Sequence, residues 1–209
     1  MKITLLRNNS LVFFFCMVML LSCTSYSIEE YVNHVNENEV YVKKQEAGDF
    51  TLTCQFRPAE YLACAELRQM KKYNRQQFES VKMAFENALY FSLRISRNDS
   101  ANVLLHNVAN QQEYGLRLNY LSNFMGEHFY LITSSGAKVI PMVYEYQRSY
   151  GNSPDACFIF SFPSSAVENE RESIQLVYDD KLFDIPEEVR WNFSIRDITG
   201  KQPKIKFPS

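Results

Sequence analysis

Apolar and polar residues alternate in several short segments of the chain, most regularly between residues 50 and 56. One side of this segment carries Phe50, Leu52, Cys54 and Phe56, and the positions between them are threonine or glutamine. A period of two predicts a β-strand with one buried face. The same pattern predicts further strands over residues 91–96, 129–133, 138–146, 156–162, 173–178 and 189–198. Short alternating strands at close intervals favour an antiparallel sandwich.

Helical periodicity is found in three other segments. Residues 59–72 are rich in good helix formers. Between residues 78 and 88, apolar side chains recur every three or four positions, as in an amphipathic helix. Residues 116–124 show similar spacing that ends at Gly126, although alternation over 114–120 leaves a strand open there. The predicted class is α+β, mainly β with helical segments: an antiparallel immunoglobulin-like β-sandwich with helices inserted between the early strands.

The N-terminus carries an apolar run from Leu11 to Leu21, preceded by Lys2 and Arg7. A basic start followed by such a run is typical of a secretory signal peptide. The run is shorter than the roughly 20 apolar residues that a membrane-spanning helix needs. We therefore predict that this segment directs export.

The apolar run ends in Leu20-Leu21-Ser22-Cys23, which resembles the lipobox of bacterial lipoproteins. The resemblance implies that residues 1–22 are removed as a lipoprotein signal peptide. It also implies lipidation of Cys23, with diacylglycerol on its sulfur and a further fatty acid such as palmitate on its amine. Two or more acyl chains hold a protein stably on a membrane. The alternative is an ordinary signal peptide in which Cys23 has no role.

The residue after the cysteine bears on the compartment. In lipoproteins of double-membraned bacteria, Asp at this position often marks retention in the inner membrane, and this chain has Thr24. The resemblance therefore implies a protein of the bacterial cell envelope, lipid-anchored at the outer membrane. Whether it faces the periplasm or the cell surface is left open.

The remainder of the chain divides into three parts by composition. Residues 23–48 are polar and rich in Asn and Glu, and are interpreted as the lipidated N-terminus and a tether, with a short helix or strand left open. Residues 49–200 are predicted to form a single β-rich globular domain. Residues 201–209 contain lysines between prolines and are predicted to be an extended basic tail.

Net charge limits the choice of partner. The formal charge of the chain is −2 at pH 7, and cleavage of the signal segment removes two positive residues, Lys2 and Arg7. A mildly acidic protein is a poor candidate for binding nucleic acid, because phosphate contacts need clustered Lys and Arg. The expected partners are the membrane, through the acyl chains, and another envelope protein.

Three cysteines besides Cys23 are expected in the mature chain, namely Cys54, Cys64 and Cys157. Their odd number allows at most one internal disulfide. An oxidising envelope permits such a bridge, but we favour unpaired thiols buried as small apolar side chains. Their spacing is not that of a zinc site.

No catalytic, cofactor-binding or metal-binding residue is predicted. His34, His106 and His128 lack metal-ligand spacing, and the chain has neither a G-x-S-x-G elbow nor a glycine-rich phosphate loop. The aspartates between residues 179 and 184 cluster as in a calcium loop but lack its residue order, so we interpret them as turn residues.

Three functions are compatible with these patterns. The preferred one is a lipid-anchored binding or assembly module, such as an accessory subunit of an outer-membrane complex. The second is a surface adhesin or a lipoprotein that captures a glycan or peptide through aromatic residues such as Tyr146 and Tyr150, which are equally compatible with a place over the core. The third is a hydrolase with dispersed catalytic residues.

Overall fold

The computed structural model describes residues 25–207, except for 169, 171, 180, 181, 184, 186, 187 and 201. Cys23 and the predicted signal peptide over residues 1–22 lie outside this part of the chain. The described residues form antiparallel sheets together with five α-helices, which confirms the α+β class.

Two antiparallel sheets make up most of the structure. The larger has five strands in the order β2-β3-β4-β8-β7, which span Val42–Ala47, Phe50–Arg57, Ala88–Arg97, Ala156–Pro163 and Val143–Gln147. The smaller has four strands in the order β10-β9-β5-β6, which span Val189–Ser194, Ser173–Tyr178, Phe129–Ile132 and Lys138–Val139. A separate parallel pair joins the two ends of the described chain, namely β1, Ser25–Tyr26, and β11, Lys204–Ile205.

The helices connect and cover the strands. The α-helices α1 to α5 span Ile28–Glu37, Ala59–Leu67, Arg75–Met83, Gln111–Asn123 and Ile195–Thr199. Short 3-10 turns lie at Val103–Leu105, Met125–His128 and Ser164–Val167. Within the described residues, none of these helices is long and apolar enough to cross a bilayer.

Aromatic rings from the two larger sheets contact one another. Phe91 on β4 contacts Phe193 on β10 edge to face, with ring centroids 5.2 Å apart. Phe129 on β5 stacks on Phe160 of β8 at 4.8 Å. Rings in such geometries contribute about 0.5–1.5 kcal/mol per pair beyond the burial of their area.

Several predicted elements are confirmed. The alternating segment at 50–56 is the strand β3, and Phe50, Leu52, Cys54 and Phe56 are all buried. The predicted helix over 116–124 is part of α4, so the alternative strand over 114–120 is wrong.

Four predicted boundaries are wrong. The helix predicted over residues 59–72 ends at Leu67. The amphipathic helix ends at Met83, because Ala88 already pairs with Pro163 in the five-stranded sheet. The strand predicted over 138–146 is divided between the two sheets at Pro141, which has no N–H for a sheet ladder. The final strand ends at Ser194, and Ile195 begins α5.

The interpretation of residues 25–48 as a tether is corrected by the structure, and the helix left open there is present. Ser27 and Glu30 form a reciprocal capping box at the start of α1. The apolar face of this helix is buried in the core and consists of Ile28, Tyr31, Val32 and Val35. The end of the chain is likewise docked: Gln202 Oε1 accepts hydrogen bonds from the hydroxyls of Tyr31 and Tyr41, at 3.1 and 2.8 Å.

Candidate functional site

A polar groove of about 440 Å³ lies on the outer face of the five-stranded sheet. The strands that form it direct their apolar residues to the core and their polar residues to this face. Strand pairing places Thr53 opposite Arg94 and Gln55 opposite Ser92. The groove therefore exists only because the register of β3 and β4 brings these side chains together.

Hydrogen bonds between α1, α2 and β3 organise one end of the groove. Asn36 Oδ1 accepts a bond from Gln55 Nε2 at 2.9 Å and another from the Tyr61 hydroxyl at 3.0 Å. The Ser92 hydroxyl donates to Gln55 Oε1 over a longer distance of 3.5 Å. These bonds hold the polar groups of two helices and two strands in one arrangement.

Two arginines line this groove without a counter-ion. The Arg57 guanidinium lies over the Tyr61 ring, 5.1 Å from its centroid. Arg94 is exposed and stands between Thr53 and Cys157 in the sheet. Neither arginine forms an ion pair with any of the described residues, and the described lining of the groove contains no carboxylate. The groove therefore carries uncompensated positive charge.

Cys157 lies beside Arg94 in the sheet but is not prepared as a nucleophile. Burial raises the pKa of the Cys157 thiol, although the positive charge of Arg94 opposes this shift. The thiol is therefore neutral at neutral pH, where the thiolate would be the reactive form.

The edge formed by β1 and β11 is the second surface of interest, because β1 begins two residues after the predicted lipidation site, Cys23, in the sequence. Ser25 is paired with Lys204 and Tyr26 with Ile205. The centroid of the Phe207 ring lies 5.2 Å from that of Phe78, so the last described residue packs against α3.

The three histidines occupy separate places in the described structure. His34 stacks near Tyr26, His106 Nδ1 lies 3.1 Å from an Arg97 nitrogen, and His128 Nδ1 lies 2.6 Å from the Asp179 carbonyl. In the described part of the chain, no three His, Cys, Asp or Glu side chains are placed to hold a metal ion. Of the clustered aspartates, the residues at 180 and 184 lie outside that part.

The cysteines and loop aromatics are also located. Cys54 and Cys64 are free and buried, as the preferred interpretation predicts. Cys157 is also free but only half-buried, so the prediction that it is a buried apolar side chain is wrong. Tyr146 is buried against Phe158, with ring centroids 5.3 Å apart, whereas Tyr150 is 87% exposed. The two tyrosines therefore do not form one exposed aromatic surface.

Comparison with known proteins identifies no family for this chain. No family model matches the sequence, and no curated protein matches it. The structure is similar to the crystal structure of a DUF4426 family protein from Pseudomonas aeruginosa, with a TM-score of 0.31 and 8% sequence identity over 73% of this chain and 91% of that one. So slight a likeness assigns neither a fold family nor a role.

Proposed function

We propose that this protein is a lipid-anchored binding or assembly module of a bacterial cell envelope, held at the outer membrane by acylation of Cys23. Its partner is another envelope protein, and an accessory role in an outer-membrane complex is the preferred setting. The observation that carries the proposal is the lipobox-like sequence Leu20-Leu21-Ser22-Cys23 at the end of the apolar run. Described structure is present from Ser25 onward, two residues after this cysteine.

The short connection has a direct mechanical consequence. Two residues of extended chain span at most about 7 Å. Because Ser25 is paired with Lys204 and the chain end is docked on α3, the acyl chains attach to a rigid edge of the protein. In the anchored protein, this edge then faces the bilayer. The exposed side chains of Lys204 and Lys206 lie on the edge and favour anionic lipid headgroups.

The groove supports binding rather than hydrolysis. Its described lining offers hydrogen-bond donors and two arginines, but no carboxylate or histidine to act as a general base. The adhesin alternative has the exposed ring of Tyr150 in its favour, but Tyr146 is buried. We also interpret the two larger sheets as the layers of a sandwich, since ring contacts join their inner faces; an immunoglobulin-like arrangement stays a prediction.

The anchor is tested by metabolic labelling with radioactive palmitate in the bacterial host. The wild-type protein and a Cys157→Ala control are expected to incorporate label, and Cys23→Ala is expected to incorporate none. Labelling is more decisive than partitioning into detergent. A Cys23→Ala protein that is not cleaved would keep its apolar N-terminal run and would partition into detergent without any acyl chain. Label retained by Cys23→Ala, or absent from the wild type, contradicts the proposal.

A further inference from the structure

We propose that the groove on the outer face of the five-stranded sheet binds a small, hydrophilic, anionic ligand whose carboxylate or phosphate oxygens are held by Arg57 and Arg94. The proposal rests on the binding role above and names its ligand chemistry. It does not depend on acylation of Cys23, so the two are tested separately.

The charge of the groove is the first argument. Arg57 and Arg94 have no ion-pair partner among the described residues, whereas Lys82 is surrounded by Glu60, Glu79 and Glu86 at 3.9, 3.3 and 3.2 Å. Across the neighbouring surface, Glu37 and Glu39 are accompanied by Lys43 and Lys44. The neighbouring carboxylates therefore do not neutralise the positive charge of the groove, and this charge attracts an anion.

The orientation of Arg57 is the second argument. Its guanidinium stacks on Tyr61, and the hydroxyl of that ring is fixed by Asn36 at 3.0 Å. The Arg57 Nε is buried and has no hydrogen-bond partner in the described structure, and the Nη groups form no hydrogen bond there either. A planar fork held in one orientation with its terminal donors unused is suited to bidentate contact with a carboxylate or phosphate.

The spacing of the two arginines indicates the shape of the ligand. Arg94 faces Thr53, which lies four residues before Arg57 on β3, and four residues of strand rise about 13 Å. Gln55 and Ser92 lie between them and present amide and hydroxyl groups. A volume of about 440 Å³ is that of a site for a small molecule. The geometry therefore favours an elongated polar ligand with an anionic group at one or both ends.

The test uses the full-length protein, labelled with ¹⁵N in its arginines and purified in neutral detergent. The Nε–Hε resonances are followed by NMR during titration with glutarate, inorganic phosphate or the neutral analogue glutaramide, each against sodium chloride of equal ionic strength. Saturable shifts of the Arg57 and Arg94 resonances are expected with glutarate, phosphate or both, and none with glutaramide or chloride. The preferred anion distinguishes a carboxylate ligand from a phosphate ligand.

Two variants and a matched control complete the test. Arg57→Gln and Arg94→Gln are each expected to raise the dissociation constant at least about tenfold, the smallest effect expected from losing a hydrogen bond between charged groups. Arg190→Gln removes the same charge from β10, where Arg190 pairs with Glu188 at 2.8 Å, and is expected to leave the affinity unchanged. Circular dichroism identifies any variant that does not fold. If Arg57→Gln does not fold, the affinities of Arg94→Gln and Arg190→Gln are compared, because Arg94 is exposed.

The proposal is overturned by any of three results: no saturable shift with either anion, the same shift with chloride, or an equal loss of affinity in Arg190→Gln. Each of these results leaves palmitate labelling at Cys23 untouched, so failure of the groove and failure of the anchor are distinguishable.

Discussion

Trp191 shows what a single buried side chain contributes to the hydrophobic core. It lies on β10 with only 3% of its surface exposed, and its indole Nε1 is buried without a hydrogen-bond partner in the described structure. Trp191→Ala is expected to lower the free energy of unfolding by about 3–5 kcal/mol. Trp191→Phe is expected to cost much less, because it keeps most of the ring and removes the unsatisfied N–H.

Urea denaturation of the two variants measures this difference. Equal losses in Trp191→Phe and Trp191→Ala would mean that the indole N–H is satisfied. An unchanged stability of Trp191→Ala would place this side chain outside the core.

Cys64 makes stability depend on pH in the alkaline range. Burial, reinforced by the negative charge of Glu60, raises the pKa of Cys64 from 9.0 to about 12. The unfolded thiol loses its proton first, so stability from this group is fully present below pH 9 and is lost as the pH rises towards 12. Cys64→Ala is therefore expected to show a shallower fall in the free energy of unfolding above pH 9.

Chemical denaturation at a series of alkaline pH values measures the two slopes. Burial also raises the pKa of Cys54, which acts in both proteins and does not affect the comparison. Identical slopes would show that the Cys64 thiol is as accessible in the folded state as in the unfolded one.

The groove is formed by residues that the pattern of a single strand cannot bring together. The alternating pattern places Arg94 on the polar face of a strand, and Arg57 at the end of another. Nothing in either pattern states that the two strands are neighbours, or that their register sets Thr53 against Arg94. Register follows from the pairing of whole strands, so the shared groove could not be predicted.

At the scale of elements, α1 was predictable and the tether interpretation missed it. Its buried residues Ile28, Tyr31, Val32 and Val35 follow the helical spacing i, i+3, i+4 and i+7. Ser27 and Glu30 supply a capping box just before them. The tether interpretation was based on the polar composition of residues 23–48, which are rich in Asn and Glu, so a helix was only left open there.

The contact between α4 and β7 is tested by a pair of glycines. A Cβ on Gly126, just after α4, would lie 2.8 Å from Cγ and 3.0 Å from Cβ of Tyr144. The Tyr144 hydroxyl donates to the Leu121 carbonyl at 2.6 Å, so its ring cannot move away freely. Gly126→Ala is expected to destabilise the protein by about 1–3 kcal/mol.

Gly115 within α4 is the matched control. Apart from its chain neighbours and the nearby backbone of its own helix, no atom lies within 4 Å of a Cβ added there. Ala is favoured over Gly inside a helix by about 0.5–1 kcal/mol. Thermal unfolding should therefore show a lower midpoint for Gly126→Ala and a slightly higher one for Gly115→Ala. Two shifts in the same direction would contradict the described packing of this junction.

At the scale of the whole molecule, the class was predictable and the topology was not. Periods of two and of 3.6 residues predicted the mixture of strands and helices. In the order β2-β3-β4-β8-β7, the strands β4 and β8 are paired although they are far apart in the chain. The strands β6 and β7, neighbours in sequence, belong to different sheets. Local patterns carry no information on such partners.

The non-local pairing of β1 with β11 also bears on the proposed lipid anchor. A tether would let the body move freely above the membrane, whereas the pairing of Ser25 with Lys204 places folded structure two residues after Cys23 in the sequence. The proposed anchoring therefore depends on one covalent event, the acylation of Cys23.

The most direct test is the intact mass of the protein purified from membranes of its own host, followed by sequencing of the N-terminal peptide. The account predicts a mature chain that begins at Cys23 and carries diacylglycerol together with an amide-linked fatty acid. A chain that begins at any other residue, or a Cys23 without acyl mass, would contradict it.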